Sequence, residues 1–315
     1  MKIIDMKKIL VLVFIICLGS IVLKAQQLPQ MTQYMVNSYA VNPAIAGMYD
    51  YTQLKTNVRN QWVGLADAPT TTVLSIHGKR TENVGLGGII FNDKFGPTSR
   101  IGGAISYAYH FYLSDKIKMS LALEGGFTQF KIDKQGWNTR DENDPLMAGD
   151  ILVDLVPDAT FGMNLYADNW YFGFSIPQLL NSKLALIDDD FANNISVDYE
   201  GSLVRHLYVM GLYSHELNPY WDLEPSILLK SVSSAEPIFD IGVKGIYDDK
   251  FWIGMDYGTN GEIDALLGLY IQDRYLIGYS YDIITNQELS PYTSGSHEFM
   301  FGLSFRPSTE KQIMR

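Results

Sequence analysis

The feature that most constrains this chain is a strict two-residue alternation, in which one face is aromatic or aliphatic and the other is small or polar. Between Ile101 and Phe111 one face reads Ile101, Gly103, Ile105, Tyr107, Tyr109 and Phe111, and the other Gly102, Ala104, Ser106, Ala108 and His110. The pattern recurs in Trp170, Phe172, Phe174 and Ile176 against Tyr171, Gly173 and Ser175. It recurs again in Tyr275, Ile277, Tyr279 and Tyr281 against Gly278, Ser280 and Asp282, and in Phe299, Phe301, Leu303 and Phe305 against Glu298, Met300, Gly302 and Ser304. Period two is the signature of β-strands. A soluble sandwich would put Val, Ile and Leu inside and many Lys and Glu outside. Here the second face is Gly, Ala and Ser, which fits a barrel with its aromatic face against lipid and its small, polar face toward the lumen. Phe299, Phe301 and Phe305 are therefore expected to face lipid.

Fourteen such segments are predicted: 51–63, 70–80, 84–94, 98–112, 117–132, 158–167, 169–176, 203–215, 221–232, 237–247, 250–258, 262–272, 274–284 and 296–306. Tyr247-Asp248-Asp249-Lys250 and Gln272-Asp273-Arg274 read as tight hairpin turns. The fold class is all-β: a transmembrane up-and-down antiparallel β-barrel of about 14 strands. An even count brings both ends of the barrel to one side, and closure leaves no strand edge unpaired in lipid. Two longer connections, 133–157 and 177–202, are predicted as polar loops, with a helical turn over Leu180 to Ile187.

The N-terminus supplies the route to the membrane. Lys2, Lys7 and Lys8 precede an apolar run from Ile9 to Leu23, and Ala25 supplies a small residue before Gln26. This is the order of a secretory signal peptide, with cleavage expected near Ala25. The apolar run is too short for a good membrane anchor. The one cysteine, Cys17, lies in that run behind Phe14, Ile15 and Ile16, which is not a lipoprotein context. The mature chain then has no disulfide and no thiolate metal ligand. Of 24 basic and 35 acidic residues, residues 1–25 hold four and one, so the remainder carries a formal charge of −14. That balance argues against nucleic acid as a partner. After residue 25 no apolar run approaches the length of a spanning helix. The expected organisation is a signal peptide at 1–25, an N-terminal segment at 26–48, the barrel at 49–306 and a tail at 307–315. The N-terminal segment is expected to form a short helix at the barrel mouth or in the lumen. It lacks the composition of a disordered tail.

Several residues could carry chemistry. His77, His110, His206, His215 and His297 show no metal-ligand spacing, and His297 and Glu298, as strand neighbours, point to opposite faces. Ser75 with His77, and Ser214 with Glu216, share strand faces but come with no nucleophile elbow or oxyanion motif. The acidic runs Asp141 to Asp144 and Asp188 to Asp190 lack the spacing of a calcium loop and read as solvated loops. No cofactor or metal site is expected, and the chain does not read as an enzyme. Arg59 and Gln61 share a face if their strand alternates, with Trp62 on the other. They are expected either to hold the N-terminal segment through Asn37 or Asn42, or to pack the lumen wall while Trp62 meets lipid.

Distinctive residues cluster near the start: Gln33-Tyr34-Met35-Val36-Asn37, Asn42-Pro43-Ala44-Ile45-Ala46-Gly47, Arg59-Asn60-Gln61-Trp62-Val63-Gly64, Ala68-Pro69-Thr70-Thr71 and Ser75-Ile76-His77. Tyr281-Asp282-Ile283 and Gly295-Ser296-His297-Glu298 follow near the end. In this order the chain resembles the PorP/SprF family of type IX secretion system outer-membrane proteins of Bacteroidetes, with Ile45 departing from a commonly aromatic position. The resemblance implies an outer-membrane accessory protein that assists export or surface anchoring of cargo, such as a gliding-motility or adhesin protein. Its implied partners are type IX secretion components, the C-terminal domain of a cargo, and outer-membrane lipid. An outer-membrane diffusion channel for small solutes is the competing reading, and whether the lumen is plugged discriminates between them.

Overall fold

The computed structural model describes residues 28–134, 151–184, 201–233 and 235–305. The expectations for 1–25, for cleavage near Ala25, for the acidic runs 141–144 and 188–190, and for the tail 307–315 lie outside the described residues.

The strands are β1 (Thr52–Asn60), β2 (Thr70–Thr81), β3 (Val84–Phe95), β4 (Thr98–Tyr112), β5 (Lys118–Asp133), β6 (Ile151–Ala167), β7 (Trp170–Ile176), β8 (Lys183–Leu184), β9 (Gly201–Ser202), β10 (His206–Tyr213), β11 (His215–Asn218), β12 (Trp221–Val232), β13 (Ala235–Tyr247), β14 (Phe251–Gly258), β15 (Glu262–Ile271), β16 (Tyr275–Ile284) and β17 (Ser296–Phe305). All but β8 and β9 form one antiparallel sheet. It closes because β1 pairs with β17, from Thr52 against Phe305 to Asn60 against His297, and because β10 and β11 both pair with β12. Since β10 and β11 are two pieces of one wall strand, the barrel has fourteen staves, as the alternation predicts.

The faces follow the sequence pattern. Ile105 is 77% exposed and Phe299, Phe301 and Phe305 are 57%, 42% and 49% exposed on the outer surface, while Ser106, Ser280 and Glu298 are buried inside. Each wall strand thus offers apolar side chains to lipid and polar ones to the lumen. Among the described residues no helix is long and apolar enough to cross a membrane, so the strands do the crossing.

The two ends differ. At one end every connection is short, such as 82–83, 168–169 and 272–274, and the barrel begins and ends there with Thr52 and Phe305. The left-handed pairs Asp248/Asp249 and Gln272/Asp273 make the two hairpin turns the sequence announced. The other end carries 61–69, 134–150, 177–205 and 285–295. Short turns face the periplasm in bacterial barrels and long loops face outward, which orients this one. The wall is also uneven. β5 and β6 run 16 and 17 residues, against 8 for β14. A tilted strand crosses the bilayer in about 9–11 residues, so β5 and β6 stand above the membrane on the outer side.

Three expectations change. Residues 151–157 belong to β6 and not to a loop, because Ile151, Val153 and Leu155 continue the outward face while Val156 points in. Pro157 fits because it interrupts one donor in an otherwise complete ladder to β5. The predicted helical turn at 180–187 is, in its described part, the two-residue strand β8 paired with β9. The N-terminal segment forms two separate single-turn 3-10 helices, Ser38–Ala40 and Pro43–Ile45, where one short helix was expected.

Candidate functional site: the plugged lumen

The core of the molecule is the lumen, filled by the chain's own N-terminal segment. Thr32 to Ser38, Tyr39, Asn42 to Ala46, Tyr49 and Tyr51 are all buried. The segment has no sheet partner for its backbone, so its polar groups must find side chains of the wall, and they do so along its whole length.

Its leading end lies in the outer half of the lumen, held by carboxylates. The Thr32 backbone N–H donates to Glu298 Oε2 at 2.7 Å, and the Thr32 hydroxyl to Asp282 Oδ2 at 2.9 Å. Gln33 Nε2 donates to the Glu298 carbonyl at 3.3 Å. The Tyr34 hydroxyl donates to Asp256 Oδ2 at 2.9 Å. Burial, then the Asp256 charge, push that hydroxyl well above the ordinary tyrosine range, so it stays a donor. Arg59 lies against Asp282 at 2.9 Å and Glu262 at 3.7 Å.

In the middle, Asn37 Nδ2 donates to Asn57 Oδ1 at 2.9 Å, and the Ser75 hydroxyl donates to Asn37 Oδ1 at 3.2 Å. The buried Lys55 ammonium donates to the Val36 carbonyl at 2.5 Å. Tyr39 stacks on His77 with ring centroids 4.6 Å apart, and its hydroxyl meets Ser106 Oγ at 2.9 Å.

The trailing end descends to the periplasmic side on neutral contacts. Asn42 caps the second turn by accepting from Ala44 N at 3.0 Å and donates Nδ2 to the Met163 carbonyl at 3.0 Å. Pro43 opens that turn where no N–H is needed. The Ser120 hydroxyl donates to the Ala44 carbonyl at 2.6 Å. His110 Nε2 meets the Ala46 carbonyl at 2.8 Å and its Nδ1 meets the Tyr166 hydroxyl at 2.7 Å. A carbonyl can only accept, so Nε2 carries the hydrogen and Nδ1 accepts from Tyr166. Gly85 permits the closest approach: a Cβ there would stand 1.9 Å from the Ala46 carbonyl oxygen.

The candidate residues sort as follows. Tyr34, Asn37, Asn42 and Pro43 belong to the plug, and Arg59, His77 and Glu298 face it from the wall. Arg59 does not reach Asn37 or Asn42 as expected. It pairs with the carboxylates beside Thr32, and Asn57, one inward position earlier, holds Asn37. Gln61 and Trp62 lie beyond β1, which ends at Asn60, so neither takes the strand face expected of it. Trp62 is left-handed at φ 47°, and its loop is pinned to the 285–295 loop by Trp62 N to Ser296 Oγ at 3.2 Å and Val63 N to the Gly295 carbonyl at 2.8 Å. His297 points outward and meets the Tyr279 hydroxyl at 2.7 Å, opposite in face to Glu298 as predicted. Ser214 is buried and Glu216 exposed. The pairing to β12 keeps one register from Leu212 opposite Ser226 to Glu216 opposite Asp222, so the two share the inward face as expected, with Glu216 at its exposed rim. Lys55, Asn57, Asp256 and Asp282 were not singled out as holding the plug. Their signal was the run Gln53, Lys55, Asn57, Arg59 of polar side chains at alternate positions.

Between the plug and the wall lies a cavity of about 130 Å³, lined by Leu28, Met31 and Tyr39 of the plug and by Arg100, Glu124 and Phe130 of the wall.

A lipid-facing, closed antiparallel barrel with its own N-terminal segment in the lumen defines the class: an integral membrane β-barrel of outer-membrane type. Residues 23–303 match the family described as type IX secretion system membrane protein PorP/SprF, and the chain belongs to that family. No curated protein matches it. Among solved structures it is similar to a Pseudomonas aeruginosa FadL homologue at 11% identity and TM-score 0.49, covering 84% of this chain and 92% of that one. It is also similar to the Acinetobacter baumannii outer membrane protein Omp33 at 6% identity and TM-score 0.45, covering 83% and 100%. The Pseudomonas putida toluene transporter TodX is similar at 8% identity and TM-score 0.43, covering 89% and 94%.

Proposed function

We propose that this protein is a non-catalytic accessory barrel of the type IX secretion system, resident in the outer membrane, which assists export or surface anchoring of cargo such as a gliding or adhesin protein. The observation that carries the reading is the plug. A lumen occupied by the chain's own residues from Thr32 to Ala46, hydrogen-bonded to the wall, leaves less room for solutes, which weighs against a diffusion channel. What is left for function is the outward surface. The tall β5–β6 wall rises there, the long connections between β5 and β6 and between β7 and β10 leave the wall at that end, and long loops on a rigid scaffold are where binding residues concentrate. Their acidic runs would steer a basic face on the cargo's C-terminal domain. A signal peptide processed near Ala25 brings the chain to this location.

Deleting the gene is expected to abolish surface display of one or a few type IX cargo proteins and leave solute uptake intact. Exchanging the two long connections for short turns is expected to leave the barrel folded and the cargo undisplayed. Cargo labelling on intact cells and conductance of purified protein in planar bilayers check this. Steady conductance by the wild-type barrel, together with normal cargo display in the deletion strain, makes the channel reading correct instead.

A further inference from the structure

The described chain begins at Leu28, and Leu28 lines the cavity between plug and wall. Much of that cavity is apolar, with Met31 of the plug and Phe91 and Phe130 of the wall on its lining. Its charged exceptions are mostly acidic. Glu124 on β5 and Asp158 on β6 both line it, one diagonal step apart, since Glu124 pairs with Thr160 and Gly126 with Asp158. Arg100 is the basic side chain on this lining, and it is engaged with Asp93.

A third acceptor lies beside the carboxylates. Gln178 lines the same cavity and is 5% exposed, and its Oε1 has no hydrogen-bond partner among the described residues. A buried acceptor left without a donor is costly. The cavity thus offers two carboxylates and an amide oxygen to a group that combines positive charge with several N–H donors, and about 130 Å³ leaves room for only a short stem behind it.

The chain carries such a group. Cleavage after Ala25 leaves only Gln26 and Gln27 before Leu28. Two residues reach about 7 Å at most, so the new α-amino group stays in the neighbourhood of Leu28. At neutral pH it is an ammonium. We propose that the α-ammonium of Gln26 docks in this cavity against Glu124 and Asp158, so that the plug seats fully only after the signal peptide is removed. Before cleavage the same nitrogen is an uncharged amide with residues 1–25 attached, which a cavity of this size cannot hold. This rests on the signal-peptide reading with cleavage after Ala25, and not on the proposed role in secretion.

The test uses mature wild-type protein purified from outer membranes in detergent. Intact mass first fixes the opening residue, expected to be Gln26 with its amine intact. An amine-reactive reagent at neutral pH is then expected to label the α-amino group at least about tenfold more slowly in the folded barrel than in the unfolded chain. The exposed Lys116 should label alike in both states. Glu124→Gln combined with Asp158→Asn is expected to remove most of that protection in a barrel that still migrates as folded when unboiled; the wild-type comparison stands without it. The proposal is overturned if the wild-type amine labels as fast folded as unfolded, or if the folded double variant protects it unchanged. An opening residue other than Gln26 overturns it together with the cleavage reading. A mass short of one ammonia, the mark of Gln26 cyclised onto its own side chain, overturns the docking alone.

Discussion

The two ends of the plug are held by opposite physics. The leading end, Thr32 to Tyr34, lies among Glu298, Asp282 and Asp256, with Arg59 between two of the carboxylates. The trailing end, Asn42 to Ala46, lies on a serine, an asparagine cap, a neutral histidine and a glycine that lets two backbones touch. The first depends on charge balance and the second on shape. A segment held both ways has one end whose grip responds to ions and one end that does not. The outer end of the lumen is therefore where release would begin.

Three substitutions test that contrast. Arg59→Gln removes the cation from a buried cluster and is expected to cost about 3–5 kcal/mol, because Asp282 is left buried and unpaired. Denaturant unfolding of the folded barrel in detergent measures it, and planar-bilayer conductance reports whether the lumen opens. A loss under 1 kcal/mol by that measure would mean the leading end is not held by charge. Gly85→Ala is expected to cost about 1–3 kcal/mol by driving a methyl group into the Ala46 carbonyl. Its effect should be the same at low and high salt, whereas that of Arg59→Gln should shrink as salt rises. If both effects shift alike with salt, the two ends are one unit and the contrast falls. Asn42→Ala should cost least, about 1 kcal/mol, as the loss of a helix cap. Chymotrypsin cleavage at Tyr49 and Tyr51, at the periplasmic end, would then rise more than at Tyr34.

The staves were legible and the plug's contacts were not, for a physical reason. Alternation is a local property, so Ile101 to Phe111 or Trp170 to Ile176 declare strand and face with no knowledge of a partner. The start of β6 escaped because Asp154, Pro157 and Asp158 look like loop residues, and only the ladder to β5 makes them strand. The plug was legible as an ordered segment because it lacks the composition of a disordered tail and carries Tyr34, Met35, Tyr39 and Val41. Its partners were not, because Thr32 is 250 positions from Asp282 and 266 from Glu298. No local pattern says which inward side chain will stand beside Asn37. Assigning that role to Arg59 and Gln61 rather than Asn57 came from running β1 through to Val63. The backbone instead turns left-handed at Trp62, a conformation bulky residues rarely adopt.

The seam between the first and last strands bears on how the chain is made. β1 has its second neighbour only when the ten residues of β17 arrive, and those residues include Glu298, which holds Thr32. Closure of the wall and anchoring of the plug therefore await the same final segment. A chain cut short before Ser296 has both an open strand edge and a loose leading end, two defects that a folding catalyst or protease can read at once. The last stave thus couples two events, closing the wall and fixing the plug, in one strand.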